Sequence, residues 1–251
     1  MKHFPALLFT DFGQLFAAPF RIFFLSLALW ACIAVPLWLL VLLSSVQLPL
    51  TLDPLHWHQH EMLFGFLNAA IAGFLLTAVG TWTQTRPLHG WPLMCLWLIW
   101  LSGRLLLLLG ADVSALLSHG IDLLFLPLVL LDAGYRIARA RQYRQLVVLI
   151  VIGGLWSMEL GFHLDPVGHY GAAALVTALA LMMAIGGRIT PAFSRNWLRL
   201  RGSSDTGTDP RWLAAASIAL PLGLVPFVLL DWQSPMAVLP LLAALVMPGR
   251  S

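Results

Sequence analysis

Charge is scarce in this sequence. Lysine and arginine together number 14 and aspartate and glutamate 11 in 251 residues, so 10% of the chain is charged, where soluble domains carry about a quarter. With 60% hydrophobic residues and a mean hydropathy of +0.87, the chain lies far outside the soluble range and reads as a polytopic membrane protein in a lipid bilayer. Cysteine is nearly absent as well. Cys32 and Cys95 both fall inside apolar runs, which argues against a disulfide framework, and no Cys-x-x-Cys-His is present for covalent haem attachment. The sequence also lacks a phosphate-binding glycine loop, a nucleophile elbow and a dinucleotide fingerprint, so hydrolase and nucleotide-driven classes have nothing to stand on.

What is there is a succession of apolar runs, each about as long as the roughly 20 residues that a crossing helix needs. They lie at Phe20 to Leu43, Met62 to Trp82, Trp91 to Leu109, Val113 to Leu131, Leu146 to Phe162, Gly168 to Gly187 and Trp212 to Leu230, with a shorter eighth at Met236 to Met247. The predicted fold is all-α: one transmembrane domain, a polytopic bundle of about seven to eight spans with a six-span core over residues 20–187. Residues 188–211 then form a loop, and 212–251 supply the last one or two spans. The first twenty residues do not read as a signal peptide, because Asp11 interrupts their apolar run. Phe4, Leu8, Phe12, Leu15 and Phe16 fall on one face of a helix, so residues 1–19 are expected to lie in the membrane interface.

Orientation follows from the cations, which stay on the cytoplasmic side. Lys2 and Arg21, Arg86, Arg136 to Arg144, and Arg188 to Arg211 all fall in alternate loops, whereas the intervening loops hold Asp53, Asp112, Asp165 and Asp231. The N-terminus is therefore expected in the cytoplasm. The arginine clusters are topology determinants, and the pI of about 9.3 calls for no nucleic-acid partner.

On that topology six of the eight histidines share the outer layer, although they come from four helices. His56, His58, His60 and Glu61 stand at the mouth of the second span, His119 inside the fourth, Glu159 and His163 at the end of the fifth and His169 at the start of the sixth; Arg104 belongs to the same depth. Ionisable groups within a bilayer usually face a bundle interior or cavity. Neutral imidazoles from facing helices can hold a metal or a porphyrin; anchoring at the headgroups is the alternative for His56, His119 and His169. On a regular helix His58 and His60 lie about 200° apart, so both serve one site only if the helix starts after His58. Glu159 and His163 share a face, and Glu159 can orient a ligating ring. Arg104 is expected to pair with Asp122, Glu61 or a cofactor carboxylate. Gly65, Ala69 and Gly73 form a small-residue stripe; Gly73 reads as helix packing, while Gly65, one turn below His60, leaves room for a porphyrin face.

The stretch Trp57-His58-Gln59-His60-Glu61-Met62-Leu63-Phe64-Gly65-Phe66, continued by Ala72-Gly73-Phe74-Leu75-Leu76-Thr77-Ala78 and Trp82-Thr83, resembles the signature of the NnrS family of bacterial membrane proteins. Gly90-Trp91-Pro92, Gly103-Arg104, Asp122 with Phe125, Phe162-His163 and Gly187-Arg188-Ile189-Thr190-Pro191-Ala192-Phe193-Ser194-Arg195-Asn196 extend the likeness over most of residues 20–200. The resemblance implies a multi-pass protein of the bacterial inner membrane that holds non-covalent b-type haem and copper and is linked to nitric oxide, its small-molecule ligand, and to resistance to nitrosative stress. It carries His58, His60, His163 and Arg104 over as cofactor-binding residues and His58, His60, Glu61 and His163 as metal ligands, with Asp122 behind them. It also implies relatives of about twelve spans, so this chain is expected to be a short form or a fragment. The competing function class is a transporter or metal-trafficking protein whose outer-layer histidines and glutamates line an entry path.

Overall fold

Proline and capping side chains set where the helices begin. In the computed structural model, which describes residues 13–202 and 211–231, the chain is helical with no strand among the described residues. Helix α1 spans Pro19–Leu42, with proline in its first turn, where a missing N–H costs nothing. Helix α2 runs over Pro54–Thr83: Asp53 caps it by accepting from the Leu55 N–H at 3.0 Å, and Pro54 pre-sets the first helical residue. It consists of an α-helical start at Pro54–His60, a π-helical turn at Glu61–Phe66 and an α-helical remainder at Leu67–Thr83. Helix α3 (Trp91–Leu109) follows Gly90, whose φ of 65° suits a residue without a β-carbon. Helix α4 (Ala115–Arg139) is capped by Ser114, and α5 (Leu146–Leu164) follows a 3-10 turn at Tyr143–Gln145. Helices α6 (Tyr170–Leu200) and α7 (Arg211–Leu229) complete the described chain.

The chain divides into two compact units, Met1–His163 and Leu164–Ser251. In the first, α2 packs against α1 and α4, and α3 against α4. Helix α2 is the centre of this unit: 56% of its membrane-crossing stretch is buried, against 11% for α1. Gly73 permits the α1–α2 contact, since a β-carbon there would stand 2.9 Å from the Phe24 ring. In the second unit α6 and α7 pack on each other.

Six helices, α1 to α6, are long and apolar enough to cross a bilayer, which makes the chain an all-α polytopic membrane protein. The seventh expected span, Trp212 to Leu230, falls on α7, whose apolar stretch Ile218–Leu229 is shorter than these six; the eighth, Met236 to Met247, lies outside the described residues. Three local expectations change. The second span begins at Pro54, eight residues before Met62, because Asp53 and Pro54 start the helix and the polar residues that follow find partners inside the bundle. Residues 188–200, expected as loop, continue α6. Phe16, assigned to the interfacial face, is buried edge-on against Trp97 at 5.7 Å between centroids; Phe4, Leu8 and Phe12 lie outside the described residues.

Candidate metal centre

A π-helical turn accommodates an extra residue per turn and is frequent at functional sites. Here it starts at Glu61, immediately after His60, and both side chains are fully buried. His60 Nε2 stands 2.9 Å from Asp122 Oδ2 of α4, and His163 Nε2 of α5 shares a hydrogen bond of 2.9 Å with the same oxygen. The ligand atoms of His60, Asp122 and His163 all lie within 4.8 Å of one another. Three helices thus deliver two imidazoles and one carboxylate to a single buried point. The His60 contact is close but misaligned for a hydrogen bond, and neither ring nitrogen of His60 has a hydrogen-bond partner.

Both glutamates of the chain join this layer. Glu61 Oε2 accepts from Trp30 Nε1 of α1 at 2.7 Å and lies 3.4 Å from Arg104 Nε of α3. Arg104 also pairs directly with Asp122 Oδ1. Glu159 of α5 accepts both of its hydrogen bonds from Asn68 Nδ2, each at 3.0 Å, and reaches within 3.9 Å of His60 Nε2. Phe64 and Phe162 pack against His60, with ring centroids at 5.3 and 6.0 Å, and close the layer with apolar surface.

The expected residues divide sharply. His60, Glu61, His163, Arg104 and Asp122 meet. His58 does not join them: the helix already runs through it, so its ring points elsewhere and stacks on Trp38 of α1 at 4.5 Å. His56 sits 3.4 Å from Asp53, His169 lies 3.9 Å from Asp231 in the second unit, and half-buried His119 stacks on His163 at 4.2 Å. Glu159 faces Asn68 and His60, not the His163 ring that its spacing suggested. Arg104 takes Asp122 and Glu61 together, both among its expected partners. Asn68, Trp30 and Trp100 were not anticipated; an asparagine within an apolar helix was the one available signal, because such a group needs a partner in lipid.

Glu61, Asp122 and Glu159 could carry three negative charges against the single guanidinium of Arg104. Buried charge is tolerated only when it is compensated by a partner or a metal. Two atoms bound to one ion by bonds of about 2.1 Å stand at most roughly 4.2 Å apart, so the observed cluster needs sub-ångström adjustment to take a cation. The donor types suit copper, iron, zinc or nickel. A porphyrin does not fit between His60 and His163, since both Nε2 atoms approach one carboxylate oxygen and the ring centroids are 4.7 Å apart. The space at Gly65 is filled too: a β-carbon there would collide with the Arg104 guanidinium and the Glu61 carboxylate. Gly65 makes room for an arginine rather than for a macrocycle.

The family model described as NnrS protein matches residues 14–250. Comparison with curated proteins and with solved structures gave no match. Because the matched region takes in every helix from α1 to α7, and with them each residue of the buried layer, the chain belongs to the NnrS family of membrane proteins.

Proposed function

We propose that this protein is a metalloprotein of the bacterial inner membrane that binds copper through His60, Asp122 and His163 and serves the response to nitric oxide and resistance to nitrosative stress. The single observation that carries the metal assignment is the meeting of two imidazoles and a carboxylate, all buried, within 4.8 Å. The link to nitric oxide rests on family membership. Bound copper would supply a redox-active centre able to coordinate a small diatomic molecule. The chain's own residues hold and shield that point: Asp122 and the two histidines present the donors, Arg104 offsets part of the surplus negative charge, and Phe64 with Phe162 keeps water away. The b-type haem that accompanies copper in the family resemblance is not supported at this point, so no role is derived for it here. The arginine-bearing loops support a cytoplasmic N-terminus.

Metal trafficking is the second reading, favoured by the stacked pair of half-buried His119 and buried His163, which extends the donor layer toward the helix surface. The test is metal analysis and optical spectroscopy of the full chain purified in detergent after growth with copper, iron and haem in excess. One copper per chain is expected in the wild type and in His58→Ala, with loss in His60→Ala and His163→Ala. Copper at wild-type level in both His60→Ala and His163→Ala would overturn the assignment. Copper that passes to a soluble chelator within seconds would favour trafficking, and a nitric-oxide-sensitive Soret band lost in His58→Ala would move the centre to a haem at that residue.

A further inference from the structure

Two glycines flank the Arg104–Asp122 pair from opposite helices. On α2, a β-carbon at Gly65 would collide with Arg104 Nη1 and Glu61 Oε2 and would stand 3.1 Å from Arg104 Cζ. On α3, a β-carbon at Gly103 would stand 2.9 Å from Asp122 Oδ1 and 3.2 Å from its Cα. Both approaches are tighter than a β-carbon tolerates, and the groups they admit are the pair itself. The socket is also held from outside. Trp100 Nε1 donates to the Gly65 carbonyl at 2.9 Å and its ring lies 6.0 Å from Arg104 Cζ, while Trp30 fixes the Glu61 oxygen that faces Arg104 Nε.

We infer that Gly65, Gly103 and Arg104 form a positioning socket that occupies Asp122 Oδ1 and leaves Oδ2 as the oxygen of that carboxylate offered to a metal beside His60 and His163. A carboxylate engaged on one oxygen by a guanidinium favours an ion on the other, because closing both oxygens on it would share the first between two cations. The charge of Arg104 alone would not achieve this: its guanidinium must sit where the glycines admit it, with one nitrogen toward Asp122 and another toward Glu61. Lysine carries the same charge on a single nitrogen and cannot hold both carboxylates in this fork geometry. Gly65→Ala keeps every charge and displaces the guanidinium together with the Glu61 carboxylate that faces it. The claim about Oδ2 rests on the copper reading above; the socket does not.

The experiment is electron paramagnetic resonance of the full chain loaded with copper(II), together with thermal unfolding. Gly65→Ala and Arg104→Lys are expected to retain copper with affinity lowered about ten- to a hundredfold, as for other changes that act through an outer partner of a ligand. They should also shift the copper spectrum in the same direction, with the double variant shifting it no further. A wild-type spectrum in both single variants overturns the positioning role. If the wild type takes up no copper, the metal reading fails and the Oδ2 claim with it, and the socket is then decided by a double-mutant cycle. Gly65→Ala should lower the melting temperature of the wild type by more than it does beside Arg104→Gln, whose shorter side chain leaves only the Glu61 contact to be relieved. An equal loss in both backgrounds overturns the socket.

Discussion

Replacing Arg104 by methionine should be among the most damaging single changes in the protein. Arg104 is 1% exposed, and its partners Asp122 and Glu61 are 4% and 0% exposed, so none of the three can turn to water once the pair is broken. Methionine fills much of the same volume with a flexible apolar chain, which keeps a cavity from dominating the outcome. What remains is electrostatic. Asp122 Oδ1 loses the donor it faces, Glu61 keeps the Trp30 hydrogen bond and the His60 ring 3.6 Å away, and up to three negative charges are left with no arginine. Removing one partner of a buried ion pair costs about 3–5 kcal/mol, a large share of a domain's total stability of about 5–15 kcal/mol. For a chain of this size that corresponds to a fall in melting temperature of roughly 6–20 °C. The assay is thermal unfolding of detergent-purified chain followed by tryptophan fluorescence, with metal removed beforehand. Adding Asp122→Asn to Arg104→Met should recover part of the loss, because the orphaned charge goes with it. An Arg104→Met variant melting within about 2 °C of wild type, or a double variant no more stable than the single, would refute the reasoning.

Four further outcomes follow from the same contacts. His60→Ala should lose bound copper while His89→Ala, whose Nδ1 lies 2.8 Å from the Pro87 carbonyl oxygen away from the metal ligands, retains it in the same metal analysis. Asn68→Ala removes the hydrogen-bond donor to both oxygens of buried Glu159 and should cost about 1.5–3 kcal/mol, read from the melting curve. Gly73→Leu should cost about 1–3 kcal/mol by pushing α1 away from α2 at Phe24, again measured by melting. An alkaline-phosphatase fusion at Arg141 should be inactive in cells, since the loop after α4 is expected in the cytoplasm; activity there would invert the topology.

Where the helices lie was readable locally. The run Trp91–Leu109 is the same in sequence and structure, and α5 starts at Leu146 as expected, because the boundaries of an apolar helix depend on the hydropathy of its own residues. The second span was placed too late for the same reason. Hydropathy stops at Met62, whereas the helix is started by Asp53 and Pro54 and carries its polar residues inward.

Choosing among the polar residues was another matter. Sequence alone marked one layer of histidines, carboxylates and an arginine, since such groups are costly in a bilayer unless they meet one another. It could not separate His58 from His60, because a difference of about 200° around a helix becomes inward or outward only when the neighbouring helices are in place. The pairing of Asn68 with Glu159 spans 91 residues of chain, and that of His163 with Asp122 spans 41, so no local pattern encodes either. Gly65 shows the limit most plainly. That the position must be small is written in the sequence, but whether a ligand, a backbone or a side chain takes the space depends on the reach of Arg104 from another helix. Hydropathy and residue type are enough for the membrane class, the helices and the set of candidate groups; helix packing selects which of them share a point, because metal ligation and charge pairing depend on distances of a few ångströms between segments that hydropathy places independently.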